Sequence, residues 1–245
     1  MLLESEHVRP STCPFTICSL AARSDGSLFA GGLGYVGRYT EDNKVWELVK
    51  INEKEVVNLL QFSPDEEWIF VATSHKRILR FGTYAFGVFA VIFSELSSKI
   101  IHLFFKESQS YIQVFEEKGT ISKIRVDPSQ SRPRVQQLGM SLKSVVIDSV
   151  FVKGFLSTSE GKVFEFDLSS NTLDEITNIQ SSVHCLCLTS DDIYLLIGTD
   201  HLINYLDINS RKVLKTFGVS GATPRSLAID KSNSTLLIFR SDGKL

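Results

Sequence analysis

The chain is short of several features that mark common classes of protein. Its 245 residues include four cysteines, six prolines and two methionines, and the formal net charge is −2. A charge so close to zero gives no electrostatic reason to expect nucleic acid or an anionic membrane as the main partner. The most apolar run covers residues 81–93, contains glycine and threonine, and is too short to cross a bilayer. The start, MLLESEHVRPST, does not have the pattern of a secretory leader.

The cysteines are too few to form a disulfide framework. They are Cys13, Cys18, Cys185 and Cys187. Two residues apart on a strand, Cys185 and Cys187 share one face and cannot bond to each other in regular β geometry. Zinc needs further ligands, and only His184 is close in the sequence. We therefore expect buried free thiols, no metal, no cofactor and an intracellular location, cytoplasmic or nuclear.

What the sequence does contain is a recurring pattern of short strands. It is clearest from Val183 to Asp207, where apolar β-formers alternate with turn residues. Ser190-Asp191-Asp192 predicts one turn, and the residues from Gly198 to His201 predict a second. The segment is thus predicted to be three strands, and regular short strands of this kind favour an all-β sandwich, barrel or propeller.

Weaker copies of this segment recur about every 40 residues. Val126-Asp127, Phe166-Asp167 and Leu206-Asp207 place an apolar–Asp pair at steps of 40. Ile17, Leu20 and Asp25 return as Val57, Leu60 and Asp65, again 40 residues later. A period of this length predicts a β-propeller in which each repeat is one four-stranded antiparallel blade.

The residues that carry the period resemble the WD40 repeat family. The matches are the first strand, the Ser63-Pro64-Asp65 turn, the small residues that end the second strand, and the apolar–Asp end of the third. The resemblance covers roughly residues 15–245 and implies a propeller that binds other proteins. No Trp-Asp dipeptide occurs, and no Gly-His precedes a blade. The family's buried His–Ser/Thr–Asp–Trp network is therefore not carried over.

These patterns predict a single domain preceded by a short tail. Residues 1–14 are expected to be a tail or a closing strand, and residues 15–245 the propeller. Blades should begin near residues 17, 57, 100, 144, 183 and 223. The last repeat is incomplete, which leaves about five and a half blades. We expect the chain to be a fragment of a seven-bladed or larger propeller protein.

One glycine-rich stretch could be taken for a phosphate-binding loop. Residues 31–37 read GGLGYVG and are followed by Arg38 rather than by Lys-Ser or Lys-Thr and a helix, so the Walker pattern is absent. We expect a flexible turn between two strands.

The candidate binding residues lie in the turns and connections at one end of the predicted blades. His75, Lys76 and Arg77, with Arg80, are the only local excess of positive charge there. Basic and acidic residues are otherwise nearly equal on this face, and mixed charge suits protein partners. The set that we expect to bind partners is His75, Lys76, Arg77, Lys118, Lys162, His201 and Arg225.

We expect a non-catalytic platform for protein–protein interaction, a WD40-like subunit of a larger intracellular complex. Two alternatives stay open. The first is a structural subunit of an RNA-processing or ribosome-assembly particle, which would contact RNA through Lys76 and Arg77. The second is a metal-dependent propeller hydrolase with His75 and His201 near a central channel. The histidines follow no catalytic motif, so we expect no catalytic residues.

Overall fold

The computed structural model describes residues 15–40, 42, 44–87, 89–106, 111–126 and 133–242. The predicted tail or closing strand at residues 1–14 and the period marker Asp127 lie outside the described residues. Within the described ranges, every element of regular secondary structure is a β-strand, and the strands form repeated sheets. The prediction of an all-β chain built from repeated four-stranded sheets is confirmed.

Five sheets have four strands each, and the sixth has two strands within the described residues. The first two sheets contain β1 (Ile17–Ala22), β2 (Leu28–Gly32), β3 (Tyr35–Thr40), β4 (Val45–Lys50), β5 (Val57–Phe62), β6 (Trp68–Thr73), β7 (Ile78–Gly82) and β8 (Phe89–Phe93). The third contains β9 (Ile100–Lys106), β10 (Tyr111–Glu116), β11 (Thr120–Arg125) and β12 (Arg134–Gln137).

The remaining three sheets follow in the same order along the chain. They contain β13 (Leu142–Ile147), β14 (Lys153–Thr158), β15 (Lys162–Asp167), β16 (Leu173–Asn178), β17 (Cys185–Leu188), β18 (Tyr194–Gly198), β19 (Leu202–Asp207), β20 (Lys212–Gly218), β21 (Pro224–Ile229) and β22 (Leu236–Arg240). In every sheet the neighbours are consecutive in sequence. First strands begin at residues 17, 57, 100, 142, 185 and 224.

The chain divides into two compact units. One comprises residues 1–114 and 122–135, and the other comprises residues 115–121 and 136–245. The first two sheets belong wholly to the first unit, and the last three belong wholly to the second. Residues of the third sheet are shared between the two.

The second strand of a repeat buries both of its faces. In β6, Ile69 and Val71 belong to a core shared with the first sheet, while Phe70 and Ala72 belong to a core shared with the third. Side chains alternate between faces along a strand, so a strand covered on both sides must be apolar throughout. This explains the continuous apolar runs in β6 and, in the second unit, in β18. Outer strands such as β20 are exposed along their length.

The expected turn between two strands is confined to two residues of the glycine-rich stretch, and the other five belong to strands. Gly31 and Gly32 end β2, and only Leu33 and Gly34 separate it from β3. A Cβ atom at Gly31 would lie 2.2 Å from a Val57 side-chain carbon, and one at Gly32 would lie 2.1 Å from a backbone oxygen. The glycines therefore permit close approach of backbone and neighbouring residues rather than flexibility.

The turn between the first and second strands repeats in detail. Its fourth position has a positive φ angle in five sheets, at Gly26, Glu66, Phe151, Asp192 and Asn233. Where that residue is polar, it accepts hydrogen bonds from the serine at the second position of the preceding sheet's turn. The bonds run from the Ser24 amide to Glu66, from the Ser149 amide to Asp192 (2.9 Å), and from the Ser190 amide to Asn233 (2.8 Å).

Two more contacts join neighbouring sheets in the same way at the first strands. The hydroxyl of Ser19 accepts from the Leu60 amide, and the hydroxyl of Ser144 accepts from the Leu186 amide, both at 3.1 Å. Equivalent bonds in both units indicate that successive sheets pack with one repeated geometry inside each unit.

We expect Asp192→Ala to lower the free energy of unfolding by about 1–2 kcal/mol, because the Ser149 amide and hydroxyl lose their acceptor and alanine is disfavoured at a positive φ angle. Asp192→Asn keeps an acceptor oxygen and tolerates this conformation, and should stay close to wild type. Urea denaturation of both variants tests this, and equal losses would show that the bond between the turns contributes nothing.

Candidate functional site

The residues predicted to bind partners are described separately in each unit. His75, Lys76, Arg77, Lys118 and His201 lie in turns between second and third strands, whereas Lys162 begins β15 and Arg225 is the second residue of β21. In the second sheet this turn holds three of the residues predicted to bind partners. His75 and Lys76 are exposed, and the Lys76 ammonium donates to the Ser97 carbonyl at 3.0 Å. Arg77 is half-buried and turned towards Glu55. The turn therefore presents His75 and Lys76, whereas Arg77 has a structural partner.

Glu55 is a completely buried carboxylate at the centre of a polar cluster. It lies two residues before β5 and is 0% exposed. Arg77 donates to both carboxylate oxygens, with Nε 2.9 Å from Oε1, and the Thr73 hydroxyl also donates to Oε1. His75 Nδ1 lies 3.8 Å from the same oxygen. These donors satisfy a charge that burial would otherwise make very costly.

The surroundings of Glu55 act on its pKa in opposite directions. Burial raises the pKa, while the hydrogen bonds from Arg77 and Thr73 and the charges of Arg77 and His75 lower it, and the net effect lies below the ordinary value of 4.5. The cluster is thus an ionised, hydrogen-bonded pair at neutral pH. The sequence showed Glu55 only as one of several loop acids, and nothing in its spacing marked it as buried.

The second unit holds the other four predicted residues. Lys118, His201 and Arg225 are exposed, and Lys162 is half-buried. The Lys162 ammonium lies 3.4 Å from Glu175 Oε2, and their side chains are 41% and 42% exposed. An ion pair this exposed is worth little, so Lys162 can exchange its partner at small cost. The binding roles of all seven residues stay a prediction.

A cavity of about 310 Å³ opens beside Lys162. It is lined by residues 139–141 and 158–160, by Lys162 and by Phe164. Thr158 is 5% exposed, and its buried hydroxyl has no hydrogen-bond partner. A buried polar group without a partner is unfavourable, so a ligand that accepts a hydrogen bond from this hydroxyl would be stabilised here. Nothing in the sequence marked the cavity beyond the basic residue Lys162 at its edge.

The fifth sheet has a different polar contact in this region. His184 precedes β17, and its Nε2 lies 2.6 Å from Oδ1 of Asp200 in the turn between β18 and β19. The hydrogen bond from His184 is the main cause that holds the pKa of Asp200 below its ordinary value. This contact ties the entry of the first strand to the turn that follows the second strand.

The thiols are only partly as expected. Cys185 is buried, and burial raises the pKa of its thiol to about 12. Burial also raises the pKa of Cys187, so both are poor nucleophiles. Cys18 is exposed, which corrects the expected buried position, because it lies at the register shift between Ile17 and Ser19 on an outer part of β1. Cys13 lies outside the described residues.

Two general features bear on the remaining hypotheses. Among the described residues, no three His, Cys, Asp or Glu side chains are grouped closely enough to hold a metal ion. The same part of the chain contains no helix with the length and apolar character needed to cross a membrane.

No protein-family model matches the chain, and no curated protein is significantly similar to it.

We expect Glu55→Gln to lower the free energy of unfolding by about 3 kcal/mol, because the half-buried guanidinium of Arg77 would lose its counter-charge. Lys50→Gln and Glu53→Gln, at an exposed ion pair nearby, should each change it by less than about 1 kcal/mol. Urea denaturation measures all three, and a Glu55→Gln loss as small as that of the controls would contradict a structural role for the cluster.

The Glu55–Arg77 pair predicts that the free energy of unfolding depends on pH. The pKa of Glu55 is lower in the folded chain than in the unfolded chain. As the pH falls below about 4.5, the unfolded chain therefore binds more protons than the folded chain. The contribution of Glu55 to stability is therefore present above that pH and is lost as the pH falls through the pKa of the folded state. The stability difference between wild type and Glu55→Gln should shrink from pH 7 to pH 3. A constant difference would mean that ionisation of Glu55 is not linked to folding.

Proposed function

We propose that this chain is part of a WD40-like β-propeller that acts as a non-catalytic platform for other protein subunits in an intracellular complex. The observation that carries the proposal is the repetition of the same sheet and the same turn contacts along the chain. Repeated sheets of this kind supply a stiff scaffold whose loops vary independently, and binding surfaces are commonly built from such loops.

The character of the exposed turns supports protein partners over nucleic acid. In the second sheet, one exposed turn combines His75 and Lys76 with a guanidinium already held by Glu55. In the second unit, Lys162 is accompanied by Glu160 in the cavity lining and by Glu175 beside it. Nucleic-acid sites present clustered positive charge with few acids among it, whereas alternating signs give specificity in protein interfaces.

We expect the full-length protein, purified under native conditions from its own cell extract, to retain other proteins in fixed stoichiometry, because a platform binds its partners through preformed loops. Mass spectrometry of the co-purifying proteins tests this. A clean monomer without partners would contradict the proposal. Metal found in the purified protein together with hydrolytic activity would support the hydrolase alternative instead.

The alternative of an RNA-particle subunit is tested by reversing the charge of Lys76. Lys76→Glu reverses an exposed charge and leaves the Glu55–Arg77 pair intact, whereas Arg77→Glu would place two carboxylates together in a buried site. RNA that copurifies with the wild type and is lost with Lys76→Glu would favour the RNA particle over the protein platform. Lys54→Glu, at an exposed position in the preceding connection, is the matched charge control.

A further inference from the structure

The second and fourth sheets place the same three positions together at their loop ends. The first position is the last residue of the second strand, Thr73 or Thr158. The second position is the cation where the third strand begins. Arg77 precedes β7, and its carbonyl accepts from the Thr73 amide at 3.1 Å, while Lys162 is the first residue of β15, next to the paired residues Ser157 and Val163. The third position, two residues before the first strand, is Glu55 in one sheet and Met140 in the other. Both sheets thus combine a threonine with a cation.

In the second sheet, one buried carboxylate joins the threonine to the cation. There, Glu55 accepts from the Thr73 hydroxyl and from Arg77 and is completely buried. In the fourth sheet the corresponding Met140 has no acceptor oxygen. The Thr158 hydroxyl has no partner, the Lys162 ammonium has only an exposed acid 3.4 Å away, and a cavity of about 310 Å³ lies beside them.

We propose that this cavity, lined by Gly139, Met140, Thr158, Lys162 and Phe164, binds the carboxylate of an aspartate or glutamate side chain of a protein partner. The carboxylate takes the place that Glu55 occupies in the second sheet, and accepts from the Lys162 ammonium and the Thr158 hydroxyl. Met140 and Phe164 offer apolar contact to the methylene groups of the incoming side chain. The inference rests on the proposed function, since the acid comes from a bound protein.

Two further residues shape the affinity of the cavity. Gly139 has a φ angle of 71°, and a Cβ atom there would meet nothing within 4 Å, so the entrance beside it is open. Glu160 is exposed and stands two residues after Thr158, where the second sheet has His75 after Thr73. A second carboxylate near the bound acid opposes it. Removing the charge of Glu160 should therefore strengthen binding.

Completing the site from within the chain is the first test. Met140→Glu places a carboxylate at the Glu55 position, and we expect its Tm to exceed that of the matched control Met140→Gln by about 2–4 °C. Adding Thr158→Val to both variants should reduce that difference, because the hydroxyl donor is gone. Equal Tm values for the glutamate and glutamine variants would overturn the inferred carboxylate geometry.

Binding is tested with a small probe on the ¹⁵N-labelled whole chain. We expect Nα-acetylglutamate amide to shift the amide signals of Gly139, Ser141 and Lys162 in a saturable way. Lys162→Met should weaken the binding about tenfold, since a charge-assisted hydrogen bond is lost. Glu160→Gln should strengthen it by about two- to fivefold.

Three controls test whether the probe binds in the cavity through its carboxylate. The neutral Nα-acetylglutamine amide should leave these signals unchanged, and Met140→Glu should abolish the response to the acid. Glu117→Gln changes the net charge equally at the neighbouring turn, outside the cavity lining, and should bind the probe like wild type. Equal responses to the acid and the amide, or no response, would overturn the site.

The native partner then separates this inference from the platform proposal. We expect a partner retained by wild type and by Met140→Gln to be lost or reduced with Met140→Glu. If Met140→Glu retains the same partners in the same amounts, the inferred acidic contact is wrong while the platform proposal stands. If wild type retains no partner at all, the platform proposal fails, whatever the probe does at the cavity.

Discussion

The constraint on which the rest of the structure depends is that a single four-stranded sheet in this chain cannot bury its own apolar faces. The second strand of a repeat is apolar at successive positions, so both of its faces need a covering sheet. In the first unit, the two faces of β6 belong to two different cores, and the second sheet is thereby held between its neighbours. The bonds between successive turns, from Ser24 to Glu66 and from Ser149 to Asp192, follow from that stacking, because they require the two turns to meet at one fixed spacing.

The loop ends show how a repeated scaffold allows local chemistry to differ. In both the second and the fourth sheet, a threonine ends the second strand and a cation lies where the third strand begins. In the second sheet, a carboxylate from the incoming connection contacts both of them, and in the fourth sheet the acid near Lys162 is the exposed Glu175. Glu55 forms a buried, ionised cluster with the pair, whereas the side chain of Met140 at the corresponding position has no oxygen to accept a hydrogen bond. The same frame therefore serves stability in one sheet and, as we propose, recognition in the other, without any change in the strands that carry it.

A count of charged residues does not show which basic side chains are available to bind a partner. Arg77 and Lys162 belong to the same set of basic loop residues in the sequence, and both suggest an exposed positive surface. The structure distinguishes the two residues. Arg77 forms an ion pair with the completely buried Glu55, whereas Lys162 pairs with the exposed Glu175 and lines the same cavity as Thr158, whose hydroxyl has no hydrogen-bond partner. A basic residue thus adds positive charge to a binding surface only where a neighbouring acid within the chain does not already neutralise it.

The sequence by itself determined the class of structure and its period. Apolar alternation, turn residues such as Ser190-Asp191-Asp192 and the steps of 40 residues act over short distances along the chain, and they predicted an all-β chain of repeated four-stranded sheets. Only the tertiary structure decided which loop residues are buried. Glu55 and Thr73 are 18 residues apart, and Met140 and Thr158 are equally far apart. Their meeting depends on strand register, on the length of the connection into each sheet and on the packing of the neighbouring sheet. No local pattern records those three quantities, because burial is a property of what surrounds a residue rather than of the residue itself.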